Sequence, residues 1–181
     1  IYGRPPKSLP INENSNIKNN NFYGLSKNVS EDILSLYLDC PLSIIRIPGV
    51  YGVFDKNKSI ISKVVSKIDQ GKEIYILNKG STLRDYVYID DIVSVVSYIL
   101  DKKINIKINI ATGQSLSIVQ IIRLIEKSLN KKALLVFKKQ ENKDFNLIFD
   151  IQKLLKNIPR HEPILMEKGI NYLVTKKTKK N

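Results

Sequence analysis

The chain has 181 residues, 43% hydrophobic and 26% charged, enough for one domain-sized core or two small lobes of ordinary globular composition. Its apolar runs are too short to cross a bilayer, a lone Cys40 excludes an intrachain disulfide, and Cys, His and carboxylates lack metal-ligand spacing. The net charge of +13 comes from lysines spread along the chain, with no basic stripe interleaved with aromatics, so it reads as Lys/Ile/Asn-rich composition rather than a nucleic-acid surface.

The expectation is therefore a cytoplasmic protein with no metal, no membrane and no nucleic-acid partner. A positive field also suits an anionic small molecule such as a nucleotide diphosphate.

Residues 1–22 read as loop, with Pro5, Pro6 and Pro10 and an Asn-rich run over 12–21. Leu25, Val29, Ile33, Leu36 and Tyr37 recur at spacings of three and four, predicting a helix over 23–39 that Cys40-Pro41 ends. Isoleucine-rich 42–47 predicts a buried strand, followed by a turn-rich loop through Pro48-Gly49 and Tyr51-Gly52. Ser59 caps a helix to about Gln70 with Gly71 as its stop, and 73–77 is a strand.

Residues 78–83 read as loop and 86–89 as a short strand, after which Asp90 or Asp91 caps a helix to about Leu100. A strand over 107–110, a helix from Ser117 to about Leu129 and a strand over 133–137 follow. The last helices cover 151–157 and 163–173, and a lysine-rich tail frays. Helices alternating with short buried strands imply an α/β class.

Tyr23-Gly24-Leu25-Ser26-Lys27 carries the chemistry. Positions i and i+4 share a helix face, so a phenol and an ammonium address one site. A phenol is a poor base near neutrality, and an adjacent cation stabilises its phenolate. Such a pair can take a proton from a sugar hydroxyl while hydride leaves the adjacent carbon. The pair alone is common. Here it stands first in an ordered series: Arg46-Ile47-Pro48-Gly49-Val50-Tyr51-Gly52, then Arg84 through Val93, then Ile108-Asn109-Ile110-Ala111-Thr112-Gly113.

That series resembles the extended short-chain dehydrogenase/reductases, specifically the NAD-dependent epimerase/dehydratase family, over about residues 1–174. The resemblance implies a Rossmann-type parallel sheet lacking its N-terminal strands, with a small α/β substrate lobe. Residues 1–58 and about 85–110 fall to the NAD(P)-binding part, about 59–84 and 111–175 to the substrate lobe, and 176–181 to a basic tail. It implies a nucleotide-sugar epimerase or dehydratase, or alternatively a keto-sugar-nucleotide reductase. Tyr23 would be the catalytic acid/base, and Lys27 would hold the ribose of NAD (NADP is the alternative).

The same resemblance gives Arg84 to the substrate diphosphate, with an ion pair to Asp85 as the competing role, and sets Asn109 near the nucleotide. Arg46 and Tyr51 read as structural, His161 as surface loop, and Gly49 stands where the family has asparagine. Lys138, Lys139 and Lys143 occupy a region where the family often has an arginine. No G-x-G-x-x-G occurs in the chain, although a phosphate-binding helix N-terminus needs such a loop. The chain is thus expected to be a fragment, a homodimer when complete, or a non-catalytic remnant. An uncovered sheet edge would favour aggregation or pairing with a partner.

Overall fold

The computed structural model describes residues 1–3, 5–17, 21–53, 55, 59–139 and 144–178, with the side chains of 176–178 excepted. Parts of the expected Asn-rich loop, Lys143 and the end of the basic tail lie outside the described residues.

The opening segment forms no regular element, yet it is anchored. Ile11 is fully buried, bridges to Phe149, and donates its N–H to the Ile148 carbonyl at 2.7 Å. Helix α1 (Phe22–Tyr37) starts where the Gly24 N–H donates to the Asn21 side chain at 2.8 Å, which satisfies a donor the first turn would otherwise leave open. It ends at Tyr37, before the proline, as Leu38 turns extended.

Strand β1 (Ser43–Arg46) follows, then β2 (Gly49–Tyr51), where the sequence predicts only a turn. Helix α2 (Ile60–Asp69) is capped by Ser59, which accepts from the Ser62 N–H at 3.1 Å, and it stops at Gly71 with φ of 64°. Strand β3 (Glu73–Leu77) leads through a 3-10 turn into β4 (Leu83–Tyr88), longer than predicted.

Helix α3 (Ile89–Asp101) has no side-chain cap. Asp90 and Asp91 therefore lie inside its first turn rather than at the cap position expected of them. Strands β5 (Ile106–Asn109) and β6 (Ser115–Ser117) precede α4 (Ile118–Leu129), which opens with a reciprocal box between Ser117 and Gln120. Strand β7 (Leu134–Lys138), α5 (Gln152–Asn157) and α6 (Met166–Thr178) complete the order. Helix α6 starts three residues beyond Pro163.

Strand pairing is mostly parallel: β1 with β5, β2 with β4, and β3 with β7, with β6 antiparallel to β4. Parallel pairs need crossovers, and the helices supply them. One apolar cluster packs α2, α4 and α6 around Ile61, Val65, Ile121, Ile125 and Ile170. A second joins α3 and α5 to β5 through Val95, Ile99, Ile108 and Leu154. A third, of Tyr2, Ile11, Ala111 and Phe149, ties the opening segment to the body.

Two edges of this packing are open among the described residues. Strand β1 has β5 as its sole neighbour. Helix α1 turns its small and polar line, Gly24, Asn28 and Glu31, inward. Its apolar period faces out: Phe22 is 90% exposed and Tyr37 81%. The spacing that predicts the helix thus marks a surface the rest of the chain does not cover.

The two faces predict opposite responses. Ile125→Ala leaves a cavity in the main core and is expected to cost about 2–5 kcal/mol in urea unfolding. Leu36→Lys with Tyr37→Lys is expected to change stability by less than about 0.5 kcal/mol and to reduce self-association in sedimentation velocity.

Candidate active site

A cleft of about 550 Å³ opens where four segments meet. The opening segment contributes Tyr2 and Gly3, the start of α1 contributes Tyr23 and Gly24, the turn after β1 contributes Pro48 and Gly49, and β4 contributes Arg84, Asp85 and Tyr86.

Tyr23 is 71% exposed at the mouth. The Lys27 ammonium stands 5.6 Å from the centre of its ring, the contact that one helical turn allows. Tyr23 and Arg84 line the same cleft. Phenol and guanidinium therefore share one cleft, and the ammonium stands beside the phenol. Asn109 does not join them. It is fully buried at the end of β5, where its side-chain oxygen accepts from the Tyr2 hydroxyl at 2.6 Å.

Arg46, which lines the same cleft, belongs to a largely buried ion pair. At the end of β1, it donates from Nε and Nη2 to the two Glu31 oxygens at 2.9 and 2.6 Å. Lys107 Nζ lies 3.5 Å from the same carboxylate, and the guanidinium packs 4.9 Å from the centre of the Tyr2 ring. Burial alone would push the Glu31 carboxyl up, but hydrogen bonds and charge from Arg46, with Lys107, hold it below 4.5. Glu31 lies two turns beyond Tyr23, so this pair fixes the orientation of the helix that carries the phenol.

Arg84 does not pair with Asp85. It donates to Asp144 Oδ1 at 2.9 Å, to the Leu83 carbonyl at 3.0 Å and to the Phe145 carbonyl. Asp144 also accepts from the Thr82 hydroxyl, which with Arg84 holds its carboxyl below the usual range despite some burial.

Asp85, although it borders the cleft, is buried. It accepts from Thr112 N–H at 3.1 Å, Thr112 Oγ1 at 2.8 Å and Gly113 N–H at 2.9 Å. Burial pushes this carboxyl up and those donors oppose it. Asp91 is likewise buried and accepts from the Ile164 N–H at 2.9 Å, anchoring the approach to α6.

His161 is half-buried rather than a surface residue, and burial lowers its pKa against the pull of Asp91. Tyr51 is packed in the core, its phenol pushed up mainly by burial. Lys138 lies over the Tyr75 ring at 4.2 Å, away from the cleft.

Sequence reasoning did not single out Glu31, Tyr86 or Asp144. The strand period could have found Tyr86, since residues i and i+2 share a face and Arg84 was already chosen. Gly49 pairs with Tyr86 across β2 and β4, and a Cβ there would come within 2.5 Å of the Tyr86 ring. Asp144 lies 60 residues from Arg84 and carries no local signal.

The profile of the NAD dependent epimerase/dehydratase family matches residues 1–111, which include the Tyr23-Lys27 pair and Arg84. The chain belongs to that family.

Its relatives agree. It is 28% identical over 182 residues to dTDP-4-dehydro-6-deoxyglucose reductase of Escherichia coli, covering 96% of this chain and 57% of the enzyme. A solved structure of Thermotoga maritima UDP-glucose 4-epimerase with UDP-glucose superposes with a TM-score of 0.89 at 24% identity, over 99% of this chain and 60% of that one. The dTDP-glucose 4,6-dehydratase of Bacillus anthracis, in complex with NAD, superposes with a TM-score of 0.81 at 22% identity, over 96% of this chain and 57% of that one.

At these identities the two structures establish the α/β, Rossmann-type fold. The chain spans about half the length of the curated relatives it matches. Among the described residues no helix is long and apolar enough to cross a membrane, and no group of three or more His, Cys, Asp or Glu could hold a metal.

The Glu31–Arg46 pair generates a pH prediction. A carboxyl held below 4.5 stabilises the fold above its unfolded value, and that contribution is lost as pH falls through the folded value. Glu31→Gln, which strands a buried guanidinium, is expected to cost about 3–5 kcal/mol at neutral pH. Its stability should then fall less steeply than wild type below pH of about 4.5. Urea titrations of both proteins from neutral to acidic pH check this.

Proposed function

We propose that this chain carries the acid/base and substrate side of an NAD(P)-dependent nucleotide-sugar epimerase or dehydratase. The observation that carries the reading is that Tyr23, with the Lys27 ammonium beside its ring, lines one cleft with Arg84.

The Tyr23-Lys27 arrangement fits a nicotinamide cofactor: an exposed phenol with an ammonium over its ring offers two polar groups to a ribose and a sugar at once. The cofactor, when bound, supplies reversible hydride exchange at a sugar carbon. Tyr23 takes the proton of the hydroxyl on that carbon and later returns it. Lys27 holds the cofactor ribose. Arg84 meets the diphosphate, whose oxygens match the guanidinium fork. Asn109, buried behind Tyr2, supports the cleft floor beside the nucleotide rather than touching it.

NAD is the cofactor in this reading, with NADP the alternative. The substrate lobe comprises about 59–84 and 111–175, and its support is the apolar cluster in which α2, α4 and α6 pack together. The homodimer belongs to the same proposal, its support being the uncovered apolar side of α1. The resemblance to the E. coli reductase favours a second reading, net reduction of a keto-sugar nucleotide by the same phenol chemistry run in reverse. A third reading is a remnant that keeps the substrate side without cofactor.

Titration of NADH fluorescence with the 181-residue chain, and NMR assay of UDP- and dTDP-hexoses with added NAD, separate the three. The proposal expects cofactor binding that Lys27→Ala weakens. Tyr23→Phe should keep binding and lower turnover by about 10²–10⁴-fold. Net consumption of reduced cofactor selects the reductase. Sugar-nucleotide binding without cofactor binding selects the remnant.

A further inference from the structure

We propose that Asp144 is the residue that sets the charge selectivity of Arg84: it occupies the guanidinium with one carboxylate, which a diphosphate displaces and a less charged ligand does not. The inference rests on the reading of Arg84 as the anion-binding group of the cleft.

The guanidinium is the cleft's candidate anion clamp, yet three hydrogen bonds already engage it. Nη2 goes to Asp144 at 2.9 Å, and Nη1 goes to the carbonyls of Leu83, at 3.0 Å, and Phe145. The Phe145 ring lies 5.4 Å from the guanidinium carbon. The carboxylate is held from its other oxygen by the Thr82 hydroxyl.

The segment carrying Asp144 is pinned to the start of β4. Leu83 N–H donates to Asn146 at 2.9 Å and Leu147 N–H to the Leu83 carbonyl at 3.0 Å. Asp144 is thus delivered to Arg84 by a fixed stretch of chain, independently of any ligand.

The contact is also open to competition. The side chains of Arg84 and Asp144 keep 25% and 40% of their exposure, so solvent reaches the pair and screens it. A diphosphate brings more negative charge and two oxygens in the geometry of the guanidinium fork. A monophosphate brings fewer of both and gains less over the resident carboxylate. Asp144 therefore acts through Arg84 as a positioning residue, filtering by charge.

The test is calorimetric titration of UDP and UMP into the 181-residue chain and into Asp144→Asn, Thr82→Val and Arg84→Ala variants, with thermal unfolding as the check on folding. Asparagine keeps the shape and the oxygen while removing the charge. The expected result is a wild-type preference for UDP that narrows about three- to fivefold in Asp144→Asn, because UMP gains more than UDP. Thr82→Val, which loosens the carboxylate without neutralising it, should narrow it less, and Arg84→Ala should weaken both ligands.

An unchanged UDP-to-UMP ratio in folded Asp144→Asn, with Arg84→Ala still weakening both, overturns the filter and leaves the reading of Arg84 intact. Binding of neither nucleotide by any of the four proteins overturns both.

Discussion

The ion pair between Glu31 and Arg46 is the contact on which the geometry of the candidate site depends. Helix α1 offers the body almost nothing apolar: its inward line is Gly24, Asn28 and Glu31. Without an apolar seam, the rotation of the helix must be fixed by something directional. Two hydrogen bonds from one guanidinium to one carboxylate do that, since a two-point contact between planar groups resists rotation as a point charge cannot. Tyr23 stands two turns before Glu31 and Lys27 one turn before it, so the pair that locks the helix also aims both groups. Desolvating both ions is costly, and the close geometry offsets that cost.

Much of the fold was legible because the local signals are strong. Ser59 and Ser117 cap the helices they were expected to cap, and 73–77 became a strand with the predicted bounds. What was misread has identifiable causes. Gly49 and Gly52 looked like turn residues, but Gly49 pairs with Tyr86 in a strand, where the Tyr86 ring leaves no room for a Cβ. Asp90 and Asp91 looked like caps. Asp91 is instead spent on a backbone donor 73 residues away, which no local pattern announces.

The helix of the Tyr-Lys pair shows the limit most clearly. Its period was read correctly as helical, but periodicity reports which residues share a face, not what covers that face. Of the candidate site, Tyr23 and Lys27 were legible from their spacing, and Arg84 only through the family resemblance. Glu31 and Asp144 were not, because each acquires its role only when distant segments meet.

Strand β4 shows how one short segment serves both the cleft and the frame. Alternation sends Arg84 and Tyr86 to one side and Asp85 and Val87 to the other. Asp85 spends its carboxylate on Thr112 and Gly113, which fixes the loop after β5, and Asp91 fixes the approach to α6. Both carboxyls are pushed up by burial, a cost that main-chain N–H donors oppose. That expense makes structural sense where loops of irregular shape must be held against a strand: apolar packing tolerates sliding, whereas a carboxylate receiving main-chain N–H groups defines a position. The acidic residues of this run therefore hold the frame, while Arg84 and Tyr86 line the cleft.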